Sequence, residues 1–308
     1  MRRVAGYIVA LPMGGHQLAI PELGQQVVNV AQVKQLSPFR YPGGKTWLVP
    51  FVRRWLNSLS LERVPGRFIE LFAGGGIVGL TVAHENLANQ VLMVELDEDV
   101  SAVWKTILNG HGEWLARRIC EFDVNVANVD AELANIPTSD HERAFQTILR
   151  NRVNHGGILA MGAGRIKVGE NGKGLKSRWY PETLARRIKD IADFKERITF
   201  IHGDAFKVLA QHLDRPEVVY FVDPPYTAST KSAGTRLYRH TELDHEKLFD
   251  LLKRSAGNFL MTYDNDPLVR HLAEQHGFDT ELVAMKNTHH AQMTELLIGR
   301  DLSWTRNR

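Results

Sequence analysis

The sequence predicts a doubly wound α/β protein built on a mostly parallel sheet. Short apolar runs alternate along the chain with helical patterns, as they do in βαβ units. A cluster of glycines follows the first of these runs, and acidic residues stand at or near the ends of four of them. Because such sheets bind ligands beyond the carboxyl ends of their strands, we expect Glu70, Glu95, Asp204 and Asp223 to line one crevice.

The predicted strands are apolar runs bounded by glycines or turn residues. They cover residues 68–72, 91–94, 198–201, 218–222 and 258–262, and the runs 282–285 and 295–298 are expected to close the sheet as a hairpin. Helices are expected over residues 77–84, from 99 to about 150, and over 244–253. The glycine-rich stretch 154–174 indicates loops and short hairpins.

Length and composition limit the class of protein. The chain has 308 residues, 44% hydrophobic and 24% charged, which is close to globular averages and excludes collagen-like fibres, coiled coils and disordered tails. No apolar run approaches the roughly 18 residues that span a bilayer, and the amino terminus lacks a signal-peptide pattern, so we expect a cytoplasmic protein without a membrane partner. The single cysteine, Cys120, excludes an intrachain disulfide and a cysteine-based zinc cage.

The charge is spread unevenly along the chain. The formal net charge is +3, from 38 basic and 35 acidic residues. Residues 143–197 hold 13 of the lysines and arginines and only 5 acids, so this segment carries +8 and the remainder −5. A basic segment in an otherwise acidic chain favours a polyanionic partner, although a solvated surface has the same composition.

The glycine cluster has the form of a nucleotide-binding loop. Residues 74–79 fit the pattern G-x-G-x-x-G between a strand and a helix, and Glu95 follows about twenty residues later. This arrangement indicates a nucleoside-containing cofactor, but nicotinamide, flavin and S-adenosylmethionine enzymes share it, and a tight turn could also need glycines. The run Gly43-Gly44-Lys45-Thr46 is not a P-loop, because Phe39 stands where that motif needs a glycine.

The most specific motif is Asp223-Pro224-Pro225-Tyr226, directly after an apolar strand. Two prolines stiffen the turn, so the Asp223 carboxylate and the Pro224 carbonyl can accept hydrogen bonds from one exocyclic amino group. The Tyr226 ring can stack on a planar heterocycle. Two such hydrogen bonds reduce the delocalisation of the nitrogen lone pair into the ring, which makes an aromatic amine a better nucleophile. The alternative is a strand-ending turn with an incidental aromatic residue.

With these motifs in this order, the chain resembles the Dam-type DNA adenine-N6 methyltransferases of the alpha group. Residues 37–45, Ser-Pro-Phe-Arg-Tyr-Pro-Gly-Gly-Lys, resemble the amino-terminal cofactor motif of that family, whose aromatic residue and lysine fall on Tyr41 and Lys45. Residues 72–76 match its F-x-G-x-G loop, and residues 203–206 resemble the motif that contacts the cofactor adenine. Glu95 stands where the family usually has an aspartate that binds ribose.

The resemblance implies a Rossmann-like methyltransferase fold with helices on both faces, S-adenosylmethionine as methyl donor, no metal, and double-stranded DNA as substrate. The implied catalytic residues are Asp223, Pro224 and Tyr226, and the implied cofactor-binding residues are Tyr41, Lys45, Phe72, Gly74, Gly76, Glu95, Asp204, Phe206 and Asp223. The catalytic domain would comprise residues 37–105 and 196–308, with a target-recognition insert at 106–195 and an extension of unknown role at 1–36. Within the insert, Lys173 and Lys176 are candidates for phosphate contacts, and Arg165 and Arg178 for base contacts.

Several alternatives stay open on the sequence. An RNA adenine methyltransferase would use the same tetrapeptide, whereas an amino-cytosine enzyme usually carries serine in place of Asp223. A catalytically silent relative would bind DNA without turnover, and a nicotinamide dehydrogenase would leave residues 223–226 unexplained. The sequence gives neither the target site nor the setting, whether restriction–modification, phage defence, or replication and repair.

Overall fold

A computed structural model of the chain describes residues 33–41, 43–59, 64–160, 162–225, 243–286 and 292–306. Its centre is a sheet whose seven described strands have the order β3-β2-β1-β4-β5-β7-β6. The strands are β1 Arg67–Glu70, β2 Gln90–Glu95, β3 Ile198–His202, β4 Val218–Val222, β5 Asn258–Asp264, β6 Asp279–Lys286 and β7 Gln292–Gly299.

Strands β1 to β5 run parallel, and β7 lies antiparallel between β5 and β6. In the terminal pair, Leu282 faces Leu296 and Val283 faces Glu295, so the closing hairpin expected from the sequence is confirmed. The mostly parallel sheet confirms the predicted fold class. The strand order reverses between β1 and β4, and this switch point is where a doubly wound sheet opens a ligand crevice.

Eleven α-helices surround the sheet within the described ranges. They are α1 Val49–Leu59, α2 Ile77–His84, α3 Glu98–Thr106, α4 Gly112–Glu121, α5 Val126–Ala134, α6 Asp140–Val153, α7 Pro181–Ala192, α8 Ala205–Ala210, α9 His245–Arg254, α10 Pro267–His276 and α11 Ser303–Arg306. The helices expected over 77–84, 99–150 and 244–253 are all present, the long one divided into four.

The two faces of the sheet carry two separate apolar cores. Phe68 and Phe221 pack with helices α1 to α7, whereas their strand neighbours Ile69 and Tyr220 pack with α8, α9 and α10 on the opposite face. This follows from the strand geometry, because successive side chains point to opposite faces of a sheet. Helices therefore cover both faces, as the sequence predicts.

The basic segment shares an apolar core with the sheet rather than forming a core of its own. Leu115 of α4, Phe145 of α6 and Ile188 of α7 belong to the same buried cluster as Phe68 of β1. Helices α4, α6 and α7 therefore belong to the layer of helices on one face of the sheet, where α6 packs against α3 and α7 against α4. The division of the chain into a catalytic domain and an insert at residues 106–195 stays a prediction.

Candidate active site

A cavity of about 1080 Å³ opens beyond the carboxyl ends of the parallel strands. Glu70 at the end of β1, Glu95 at the end of β2, Asp204 after β3 and Asp223 after β4 all line it. The sequence expectation that these four acids share one crevice is therefore confirmed. The cavity lies at the point of the sheet where the strand order reverses.

The glycine loop between β1 and α2 forms one wall of this cavity. Gly74 and Gly76 have φ values of 47° and 63°, in the left-handed region that glycine adopts without strain. A Cβ atom on Gly74 would collide with the Tyr41 ring, and one on Gly76 would collide with Met93 and Trp104. The loop therefore needs glycine both for its backbone conformation and for the close approach of Tyr41.

Glu95 ties this loop to the end of β2. Its Oε2 accepts a hydrogen bond from the Gly74 N–H at 2.8 Å, and its Oε1 accepts one from the Asp97 N–H at 2.8 Å. Burial raises the pKa of Glu95 to about 7, although these hydrogen bonds favour its ionised form. A carboxylate oxygen has room for further bonds, so Glu95 can also accept from ribose hydroxyls.

The wall next to β3 is aromatic. Asp204 caps helix α8, with its Oδ1 accepting a hydrogen bond from the Phe206 N–H at 2.8 Å. Phe206 and Phe72 are half-buried and line the cavity, as does Asp204. A flat heterocycle such as adenine can pack against such rings while an acid accepts from its amino group.

Asp223 is fixed on the cavity wall by two neighbours that bind the same oxygen. Its Oδ1 lies 2.9 Å from the ammonium of Lys45 and accepts a hydrogen bond from the Thr262 hydroxyl at 2.8 Å. Lys45 is only 3% exposed, and its ammonium also lies 3.4 Å from Glu295 Oε1 on β7. Pro224 is buried beside Asp223 and lines the cavity, whereas Tyr226 lies outside the described residues.

Two carboxylates that were not predicted from the sequence, Asp264 and Glu295, also belong to this part of the site. Asp264 ends β5 and faces Glu295 across the sheet, and both line the cavity. Burial raises the pKa of Asp264, with the charge of Lys45 opposing and that of Asp223 adding. Burial also raises the pKa of Glu70 well above its usual range. Asp264 could have been found from the sequence, because it is an acidic residue that closely follows an apolar run.

The four predicted DNA-binding residues have different surroundings. Arg165 forms an ion pair with Asp130, and Lys176 forms one with Asp123 at 3.0 Å. Lys173 is exposed, and Arg178 is half-buried and lines the cavity. Within the described part of the chain, three other arginines line the same cavity, namely Arg40, Arg152 and Arg187, and no role was predicted for any of them from the sequence.

The chain matches the model of the D12 class N6 adenine-specific DNA methyltransferases over residues 41–289. It belongs to this family. The resemblance seen in the sequence is thus confirmed, and the chain is an adenine-specific DNA methyltransferase whose family implies S-adenosylmethionine as methyl donor. Together with the doubly wound sheet, membership gives the chain a Rossmann-like methyltransferase fold. A nicotinamide dehydrogenase is set aside.

The chain is also similar to individual proteins of known name. The Type II methyltransferase M.MjaIII of Methanocaldococcus jannaschii is 22% identical over 235 residues, which cover 71% of this chain and 79% of that protein. A candidate RNA methyltransferase of Pyrococcus horikoshii is a solved structure with 12% identity and a TM-score of 0.40, covering 88% of this chain and 93% of that one. A methyltransferase of Geobacter sulfurreducens has 13% identity and a TM-score of 0.35, covering 85% and 80%.

The residues that line the cavity of this methyltransferase suit the positive charge of S-adenosylmethionine. Among the described residues, seven carboxylates line it, namely Glu70, Glu95, Asp97, Asp204, Asp223, Asp264 and Glu295. Negative charge around the cavity favours a ligand that carries a sulfonium cation. The backbone of the glycine loop lines the cavity at Gly74 and Gly76, where a nucleoside can approach it. None of the described helices is long and apolar enough to cross a membrane.

Proposed function

We propose that this methyltransferase acts on an adenine flipped out of double-stranded DNA, and that Asp223 and the Pro224 carbonyl accept hydrogen bonds from adenine N6. The supporting observation is the fixed position of Asp223. Lys45 and Thr262 both bind its Oδ1, so we assign Oδ2 to the adenine amino group. Held in this way on the cavity wall, the carboxylate needs no rearrangement when the base arrives, which is how positioned groups lower a barrier.

Two acceptors at one amino group explain why N6 reacts. In free adenine the N6 lone pair is delocalised into the ring, and acceptors on both N–H groups draw it towards a localised form. When bound, S-adenosylmethionine supplies an electrophilic methyl group on a sulfonium sulfur. Asp223 and Pro224 hold N6 in line for direct displacement, so the chain contributes mainly orientation. Neither a metal ion nor a covalent enzyme intermediate is needed for this step.

Flipping the base out of the stack costs a few kcal/mol, because pairing and stacking are lost. We propose that Tyr226 stacks on the extruded adenine and returns about 1–3 kcal/mol of that cost. The residue before it, Pro225, lines the cavity next to Pro224 and Asp223. The supporting observation is therefore that Tyr226 directly follows cavity-lining residues in the chain.

The methyl donor is proposed to bind along the glycine loop. Tyr41, Gly74 and Gly76 would hold it at the loop, and Glu95 would accept hydrogen bonds from the ribose. Asp204, Phe206 and Phe72 would hold the adenine of the methyl donor. Lys45 would support the donor site indirectly, because its ammonium contacts Asp223. All of these residues line the cavity.

Residues 106–195 are proposed to recognise the target, with Lys173 and Lys176 on phosphates and Arg165 on a base edge. Arg178, the other candidate for a base contact on the sequence, lines the active-site cavity instead. The Type II name of the Methanocaldococcus jannaschii relative supports a place in a restriction–modification pair. A DNA substrate favours the cytoplasm as the place of action.

The decisive experiment is digestion of DNA to nucleosides after incubation with the protein and S-adenosylmethionine. Mass detection should find N6-methyladenine and no N4-methylcytosine, and the Asp223→Ala variant should give neither product. A parallel incubation with RNA of matched sequence should remain unmethylated. Methylation of the RNA instead of the duplex, or of cytosine instead of adenine, would overturn the proposal.

A further inference from the structure

The active-site cavity is divided into an acidic and a basic part. The seven carboxylates come from the sheet strands or from the residues that follow them. Four arginines come from elsewhere: Arg40 from the segment that precedes α1, Arg152 from α6, Arg178 from a short turn before α7, and Arg187 from α7. We call these four the arginine cluster. The acidic part suits the cationic methyl donor, which leaves the arginine cluster without an assigned ligand.

The centre of the arginine cluster is a buried guanidinium group. Arg152 is 3% exposed, and its Nη2 donates to the Pro38 carbonyl, but its Nε is buried and has no hydrogen-bond partner among the described residues. Burial, together with the charges of Arg187, Arg40 and Arg178, lowers the pKa of Arg152 to about 9. Like charges crowded in a low dielectric are costly, and an anion among them removes that cost.

We propose that the arginine cluster binds one phosphodiester group of the DNA strand that carries the target adenine. Guanidinium groups match phosphate oxygens with paired N–H donors, and several of them can share one phosphate. A base edge would need only one such fork. The carboxylate of S-adenosylmethionine is accompanied by its own ammonium group, so it brings no net negative charge to Arg152 and Arg187. The inference rests on the DNA substrate of the family.

Hydrogen bonds connect the arginine cluster to the glycine loop that would bind the methyl donor. Arg187 donates to the Ser37 carbonyl at 3.0 Å, and the Ser37 hydroxyl donates to the Gly75 carbonyl in the glycine loop. Asn151 of α6 binds both the N–H and the carbonyl of Arg40, at 2.8 and 3.0 Å. One peptide segment therefore joins the phosphate site to the donor site, so the arginine cluster acts as a positioning group for the flipped nucleotide.

The first test compares Arg187→Gln with Arg186→Gln, which removes an exposed neighbour outside the cavity. Binding to a short duplex of arbitrary sequence is measured over a salt series. Arg187→Gln should weaken binding about tenfold at low salt and reduce the salt slope by about one, with a smaller effect of Arg186→Gln. Arg187 is only half-buried, so the variant should fold, and its melting temperature and S-adenosylmethionine affinity check this.

The second test locates the phosphate. Single neutral methylphosphonates are placed on either side of the target adenine in a duplex with the mapped methylation site. At one position the parent protein and Arg186→Gln should each lose about tenfold in affinity, whereas Arg187→Gln should lose only about threefold, because one of the cations that meets the phosphate is already absent. Equal losses for all proteins at every position would overturn the proposal.

A third outcome would also overturn it. If Arg187→Gln keeps the parental salt slope but loses affinity for S-adenosylmethionine alone, the arginine cluster binds the donor carboxylate. Failure of the proposed function looks different, since no N6-methyladenine would be mapped. The arbitrary-sequence duplex would then still decide whether the arginine cluster binds phosphate.

Discussion

The ammonium of Lys45 lies 2.9 Å from Asp223 Oδ1, and the lysine side chain is buried. These residues belong to two motifs at opposite ends of the family pattern, one assigned to the cofactor and one to catalysis. In the folded chain they form one electrostatic unit, which Glu295 joins at 3.4 Å from the same ammonium. A change at Lys45 should therefore affect stability and the reacting amine as well as donor binding.

The variant Lys45→Met is expected to lower both stability and turnover. It leaves the buried carboxylate of Glu295 and that of Asp223 without their shared cation. Removing one partner of a buried ion pair typically costs about 3–5 kcal/mol, because the other charge stays buried. Urea denaturation should show this loss as a lower free energy of unfolding. The double variant Lys45→Met/Glu295→Gln should recover part of the stability but not the activity, and a single variant as stable as the parent would contradict the prediction.

Asp223→Ala is expected to reduce the rate of methyl transfer at least about 100-fold, since it removes an acceptor that matters most in the transition state. Binding of DNA and of S-adenosylmethionine should largely survive. Single-turnover methylation measures the rate, and calorimetry measures the binding. The matched control is Asp264→Ala, which removes another half-buried carboxylate from the same cavity and should slow transfer much less. Near-normal methylation by Asp223→Ala would show that another group binds N6.

Gly74→Ala is expected to abolish detectable S-adenosylmethionine binding. The added methyl group would collide with the Tyr41 ring, and φ at this position is +47°. Gly162→Ala is the matched control, because φ there is +81° but no atom lies within 4 Å of the added carbon. Both variants should lose about 1 kcal/mol from backbone strain, and only Gly74→Ala should lose the donor. Equal donor affinities in the two variants would contradict the loop assignment.

The ion pair between Lys176 and Asp123 makes two predicted DNA contacts distinguishable. Lys173→Ala should weaken binding to all duplexes alike and reduce the salt slope by about one, as expected for one lost phosphate contact. Lys176→Ala should have a smaller effect, since Asp123 already offsets part of its charge. Asp123→Ala should slightly strengthen binding at low salt. If all three variants bind like the parent over the salt series, these residues are solvated surface and the duplex lies elsewhere.

The strand ends of the site could be predicted from the sequence because each depends on a local pattern. The apolar run 218–222 is β4, so Asp223 had to follow a buried strand, and Glu95 ends β2 for the same reason. The position of β7 between β5 and β6 could not be predicted, since nothing local specifies which partner a closing strand takes.

The arginine cluster could not be predicted from the sequence for a related reason. Arg40 and Arg152 are separated by more than a third of the chain, and arginines in such segments usually lie on a solvated face. Only the packing of α6 against the segment before α1, through Asn151 and Arg40, reveals that Arg152 is buried. The pairing of Lys45 with Glu295 likewise depends on the register of β7 against β5, which no motif records.

The raised pKa of Glu95, about 7, predicts that donor binding depends on pH. Its carboxylate form can accept hydrogen bonds from both ribose hydroxyls, whereas the protonated form loses part of that capacity. Affinity for S-adenosylmethionine should therefore rise from about pH 6 to about pH 8 and level off above. Below the pKa of Glu95, affinity should fall by up to about tenfold for each pH unit. Binding below pH 7 should release protons, because the bound donor favours the ionised acid.

Calorimetry in two buffers of different ionisation enthalpy measures the protons released, and Glu95→Gln is the matched control. Glutamine keeps the size of the side chain and an acceptor oxygen but cannot titrate, so its donor affinity should be low and nearly constant over this range. Glu70 is also buried with a raised pKa, but its Oε2 accepts from the Gly79 N–H within α2, so Glu70→Gln should keep the parental pH profile. A parental profile that persists in Glu95→Gln would place the titrating group elsewhere and remove Glu95 from the ribose site.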